Sequence, residues 1–151
     1  MTQEKYNKQI NGIGLYAEIC IDSSKSNGLE STVIDACSWK MLREAHINLQ
    51  LGEGHYKWRA AVLKGIRFAI SKIETDVTYE IRLLDIDGHI LHSNLHSMFA
   101  VGLLSVFKEL RVDINENDLA ALHEFVHSSK GYNSIWEEPN ENKLHITNYK
   151  A

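Results

Sequence analysis

The chain has 151 residues, 44% hydrophobic and 24% charged, with a formal net charge of −4. That is enough for one ordinary globular domain, able to bury most of its apolar surface without disulfide or metal staples. No run approaches the roughly 18 apolar residues of a membrane span, so a membrane protein is excluded from the expectations.

The charge is uneven along the chain. Residues 1–112 hold 13 Lys+Arg and 13 Asp+Glu, whereas residues 113–151 hold 3 and 7. Proteins that bind nucleic acid carry the reverse bias, because Lys and Arg displace the counterions of the phosphates. Direct nucleic-acid binding is therefore not expected, and the acidic end suits a basic protein partner.

The opening MTQEKYNKQING has no apolar core behind its lysines, so it is not read as a secretion signal, and a cytoplasmic location is expected. GLYAEICID (14–22) alternates Leu15, Ala17, Ile19 and Ile21 with polar neighbours, the pattern of a strand with one buried face. SSKSNG is a polar turn, and the β-branched part of STVIDACSWKML (31–42) predicts a second strand. Cys20 and Cys37 lack a CxxC spacing and read as buried free thiols.

HYKWRAAVLKGIRFAISKI (55–73) predicts a helix, with Trp58, Val62, Ile66, Ala69, Ile70 and Ile73 on one arc and Gly65 marking close packing. TYEIRLLDIDGHILHS (78–93) predicts a hairpin turning at Asp87-Gly88. NLHSMFAVGLLSVFKEL (94–110) is apolar around most of its circumference and predicts a helix buried between layers. DINENDLAALHEFVHSSKG (113–131) predicts a third helix, started by Asn115 or Asn117 and ended by Gly131, and KLHITNY (143–149) a last strand. The order implies an α+β fold, a two-layer α/β sandwich with helices on one face of a sheet and an extra C-terminal helix.

Three stretches carry a family resemblance. NGIGLYAEICID resembles the opening strand of domain IV of translation elongation factor G. LGEGHYKWRAAVLKGIRFAI looks like the first helix of that domain, and LLDIDGHILHSNLHSMFAVGLLSVFKEL is similar to its hairpin, Ser-containing turn and second helix. The resemblance covers residues 11–112 of a single domain spanning 1–151, and leaves 113–151 as an acidic extension. It implies the left-handed βαβ architecture of the second domain of ribosomal protein S5. It also implies a tip, built from Gly12–Tyr16 and Gly88–Ser93, of the kind the factor inserts into the decoding site. The family's Asp-Ser-Ser turn stands here as His92-Ser93-Asn94. No GxxxxGK[ST] phosphate cradle occurs in the chain.

HEFVH (123–127) spells the zinc-peptidase signature. His123 and His127 share a helix face and could hold Zn²⁺, with Glu124 activating a bound water and Glu137, Glu138 or His145 completing the set. With eight histidines the spelling arises by chance in roughly 3% of such chains. On a helix with Leu119, Leu122 and Val126 inward, Glu124 points toward water. No cofactor, no metal and no enzymatic activity are expected, zinc at this pair being the alternative.

NSIWEEPNEN instead sets Ile135 and Trp136 among Glu137, Glu138 and Glu141. A large aromatic ringed by carboxylates has the composition of a contact site for a basic partner; equally, Trp136 can pin the loop to the domain. The expectation is a non-enzymatic immunity or antitoxin-type inhibitor that occludes a basic, nuclease-like toxin. The alternatives are a translation-associated module contacting ribosome or transfer RNA through the tip, and a small zinc hydrolase.

Overall fold

A computed structural model describes residues 1–10, 13–128 and 135–151. Its strands are β1 (Thr2–Ile10), β2 (Ile13–Ser26), β3 (Thr32–Asp35), β4 (Ile73–Glu74), β5 (Thr78–Gly88) and β6 (Tyr149–Lys150). Its helices are α1 (Lys40–Ala45), α2 (Glu53–Lys72), α3 (Leu95–Glu109) and α4 (Glu116–His127). Four strands form one sheet in the order β1-β2-β5-β3, with β3 parallel to β5 and the other neighbours antiparallel. The parallel pair requires a crossover, which α1 and α2 supply. The result is a two-layer α/β sandwich.

Alternation along β2 works as its sequence implies: Leu15, Ala17, Ile19 and Ile21 are buried, and the residues between them are half-buried. In β5 the alternation changes phase. The register skips Leu84 between the pairs Ile21↔Leu83 and Cys20↔Asp85, a bulge that turns Ile81, Leu83 and Ile86 onto one buried face. Asp87-Gly88 is therefore not a hairpin turn, as its sequence suggested. It stays in the strand opposite Glu18 and Ala17. The chain turns only after Gly88, where a Cβ would meet Met98 Cε at 2.7 Å and Ser93 Oγ at 2.8 Å.

The helices α2 and α3 pack on each other, and α3 lies across β1 and β2. Trp58, Ala61, Val62, Ile66 and Ala69 of α2 are buried in the interface, and α3 is buried along nearly its whole length. The reason is that α4 covers its outer side: Phe125 contacts both His96 and Phe99 of α3, with ring centroids 5.0 and 5.3 Å apart.

Two elements escape the sequence pattern. β1 is an edge strand in which, over residues 2–9, only Thr2 and Tyr6 are buried among charged and amide side chains. The last strand is only Tyr149–Lys150, paired with β4, and it follows a short 3₁₀ helix over Glu141–Lys143 rather than occupying 143–149. Cys20 and Cys37 are free and half-buried rather than buried, and burial pushes the Cys37 thiol up to about 11.

Candidate functional site

Asn115 caps α4, its side chain accepting from the Asp118 amide at 2.8 Å, and Glu116 and Asp118 suit the positive helix start. The predicted end at Gly131 lies outside the described residues. Leu122, Phe125 and Val126 are buried, which turns His123 and His127 toward β1 and leaves Glu124 exposed. His123 Nδ1 shares a 3.0 Å hydrogen bond with the Tyr6 hydroxyl. Burial, then the Lys8 ammonium and the neighbouring His127, hold the His123 imidazole below its ordinary value. Burial and Lys8 do the same to His127.

This is a poor cation site. An ammonium acts on both rings, one ring nitrogen is committed to Tyr6, and the glutamate faces away. Among the described residues no three His, Cys, Asp or Glu side chains are grouped to hold a metal, so Glu137, Glu138 and His145 do not complete the set. No hydrogen bond joins a serine or cysteine side chain to a histidine ring among the described residues.

The acidic tail is largely engaged with its own domain. The Ile135 carbonyl accepts from the Leu95 amide at 3.1 Å, where α3 begins. Trp136 is half-buried, and its indole lies on Gly54 so closely that a Cβ there would stand 2.5 Å from Cη2. Lys64 Nζ pairs with Glu141 at 2.9 Å and donates to the Pro139 carbonyl at 2.5 Å. That ammonium holds the Glu141 carboxyl below the usual range. Glu137 and Glu138 are exposed. Three of the five residues expected to meet a partner thus fasten the tail, and two present charge to solvent.

The tail continues inward through Leu144 and Ile146, both buried. Its anchor is Asp118, 5% exposed, which accepts from Thr147 Oγ1 at 2.6 Å, the Thr147 amide at 3.1 Å, Asn115 Nδ2 at 3.2 Å and the Tyr149 hydroxyl. Burial acts to raise its pKa, but these hydrogen bonds outweigh it and hold the carboxyl low. No pattern in the sequence marks Asp118, Tyr6, Lys8 or Lys64, because each acts on a partner far along the chain.

At the opposite end of β5, residues 89–93 form a tight turn braced to β2. The His92 and Ser93 amides donate to the His89 carbonyl at 2.9 and 2.7 Å, and the Tyr16 amide donates to the His92 carbonyl at 2.7 Å. Ser93 Oγ donates to the Tyr16 carbonyl at 2.5 Å and accepts from the His89 amide at 2.8 Å. His92 Nδ1 donates to the Gly14 carbonyl at 3.3 Å, and the His89 and His92 rings lie 4.8 Å apart. The turn presents Ile90 and Leu91 to solvent, 64% and 65% exposed. Asn94 caps α3, its side chain accepting from Ser97 N.

Two depressions lie elsewhere on the described surface. One of about 120 Å³ is lined by Lys57, Lys64, Leu95 and Pro139 among others. The other, about 650 Å³, lies between the start of β3, the end of α2 and the start of β5. No helix among the described residues is long and apolar enough to cross a membrane.

No protein-family model matches the chain, and no curated protein matches it. The fold does match a solved one: the crystal structure of a protein from Thermus thermophilus is similar at a TM-score of 0.54 and 14% identity, over 85% of this chain and 20% of that one. The present chain thus spans about a fifth of the length of the larger protein whose fold it shares.

Proposed function

We propose that the chain is a non-catalytic binding module whose contact surface is the tip at residues 89–93, and that it docks on the ribosome. One observation carries this reading: a cross-braced turn holds Ile90 and Leu91 in water between two neighbouring imidazoles. Keeping two large apolar side chains exposed on a rigid support forgoes roughly 1.5–3 kcal/mol of burial for each, which a binding partner recovers. The resemblance of residues 11–112 to domain IV of elongation factor G supplies the partner, since that domain works through the corresponding tip. The likeness to one fifth of a larger protein is in keeping with a fold that also serves inside longer chains.

Co-sedimentation with ribosomes at moderate salt tests the reading. The wild-type chain is expected to pellet with ribosomes and the Ile90→Ser/Leu91→Ser variant to remain in the supernatant. Absence of pelleting, or equal pelleting of both, overturns it.

A second reading rests on Glu137 and Glu138. They stand exposed on a segment pinned at one side by Trp136 on Gly54 and at the other by Glu141 on Lys64. Such preorganisation lowers the cost of binding, and it suits an inhibitor of a basic toxin. Glu137→Gln/Glu138→Gln is then expected to weaken binding to a basic partner protein and to flatten its salt dependence; an unchanged salt slope discards this reading.

A further inference from the structure

The histidines of α4 have the spacing of a cation site and surroundings of the opposite sign. His123 and His127 lie one turn apart on the side of α4 facing β1. Tyr6 and Lys8 are two residues apart on β1 and so share the face turned toward them. The charged groups acting on the two rings are Lys8 and, for His123, His127 itself. Tyr6 is buried, and burial raises its phenol far above the physiological range, so it adds no charge. On the α3 side, His96 stacks on Phe125. Glu124, on α4 itself, is exposed.

His127 Nε2 is enclosed and has no hydrogen-bond partner among the described residues. An enclosed polar atom without a partner is destabilising, because it has given up its water without a replacement. Lys8 disfavours a metal ion as that partner, whereas an anion is drawn by the same positive field. A tetrahedral oxyanion has enough acceptors to take Lys8 Nζ–H, a His127 N–H and a His123 N–H together.

We propose that the seam between β1 and α4 is an oxyanion site, in which Lys8, His123 and His127 hold a phosphate group and Tyr6 fixes the His123 ring. The formal charge of residues 113–151 conceals it, because the donors come from both ends of the chain. The site flanks the tip: Lys8 is in register with Leu15, beside the Tyr16 amide that holds the His92 carbonyl. It does not depend on ribosome binding, since the ligand class follows from the donors alone.

The test is an NMR titration of the imidazole ring protons of the full chain. Sodium phosphate is compared with sodium chloride of equal ionic strength at about pH 5.5, a unit below the ordinary imidazole value, because both rings titrate below that value. The His123 and His127 signals are expected to shift saturably with phosphate and not with chloride, while those of His89 and His92 stay in place. Affinity is expected to fall as the pH rises to about 8, because a protonated ring attracts the anion by its charge as well as by its N–H. Lys8→Ala, at an exposed position that leaves the core intact, is expected to weaken binding at least about fivefold.

A second arm replaces phosphate with a short oligouridylate. Binding of both assigns the site to phosphodiesters, and binding of inorganic phosphate alone assigns it to free phosphate or a monoester. No saturable shift with either, or equal affinity in wild type and Lys8→Ala, overturns the proposal. Ribosome co-sedimentation can fail while this titration succeeds, so the two readings are separable.

Discussion

Gly65 on α2 lies so close to the Phe99 carbonyl on α3 that a Cβ on the glycine would stand 2.0 Å from that oxygen. Gly102 on α3 repeats the relationship in reverse, with a Cβ position 2.4 Å from the Val62 carbonyl. The two helices therefore touch backbone to backbone at one crossing. Gly65→Ala gains about 1 kcal/mol of helix propensity but must push apart two backbones. A net loss on the order of 3 kcal/mol is expected, read as a lower urea midpoint. Unchanged stability would show that the helices are not this close.

Asp118 holds the tail by three hydrogen bonds and the Asn115 cap of its own helix by a fourth, so removing its carboxylate leaves Thr147, Tyr149 and Asn115 without their shared acceptor. Asp118→Ala is expected to cost about 3 kcal/mol, the scale of losing a buried charged acceptor. Hydrogen exchange should accelerate at the amides of residues 144–151 before those of α2 and α3. Uniform acceleration across the chain would mean that the tail is not a separate opening unit.

Stability should fall with acidification. His96, His123 and His127 all titrate below the ordinary imidazole value of 6.5, each chiefly through burial. The unfolded chain then binds protons more readily than the folded one. Their contribution is complete above the unfolded value and is lost as pH falls through the folded values. Asp85, whose carboxyl burial raises, acts with the opposite sign at lower pH, losing stability as pH rises above 3.8. The urea midpoint is expected to drop between about pH 7 and 5, and His96→Phe, at a site packed against Phe125, should reduce the slope. An identical slope in that variant would remove His96 from the account.

Gly54→Ala offers a reading of the tail in solution. The added methyl would meet Trp136 Cη2 at 2.5 Å, so the indole must leave its place. Trp39 and Trp58 are buried, 3% and 2% exposed, and remain as internal references. A red shift and increased quenching of the tryptophan fluorescence are expected, and a spectrum identical to the wild type would place Trp136 elsewhere.

Periodicity made β2, α2 and α4 legible, because each buries one continuous face against a neighbour, and α3 showed by being apolar around most of its circumference. The Gly65 packing and the Asn115 cap were legible for the same local reason. β1 was not: Thr2 and Tyr6 are the only buried side chains over residues 2–9 of a polar strand, and edge strands carry charge that hides their period. The short α1, beginning after a left-handed Trp39 at φ 57°, has too few turns to show one. The hairpin expected over 78–93 does not form, because Asp87-Gly88, a common turn pair, stays in register with Glu18 and Ala17, and the bulge beside Leu84 shifts the alternation by one residue. HEFVH was legible as a spacing of two histidines on one helix face. The sign of its surroundings is set by Lys8, far earlier in the chain.

Leu122, Phe125, Val126, Leu144 and Ile146 are buried in the same cluster as the sheet and the two long helices. During synthesis they emerge after the body they cover. At translation rates of 5–20 residues per second, the span from residue 113 to 146 takes roughly 2–7 s, far longer than a helix needs to form. For that interval the outer side of α3 is a bare apolar stripe on a tethered nascent chain. Until those residues are made α3 lacks its cover, so the last packing step follows the synthesis of the chain's final segment rather than that of the sheet.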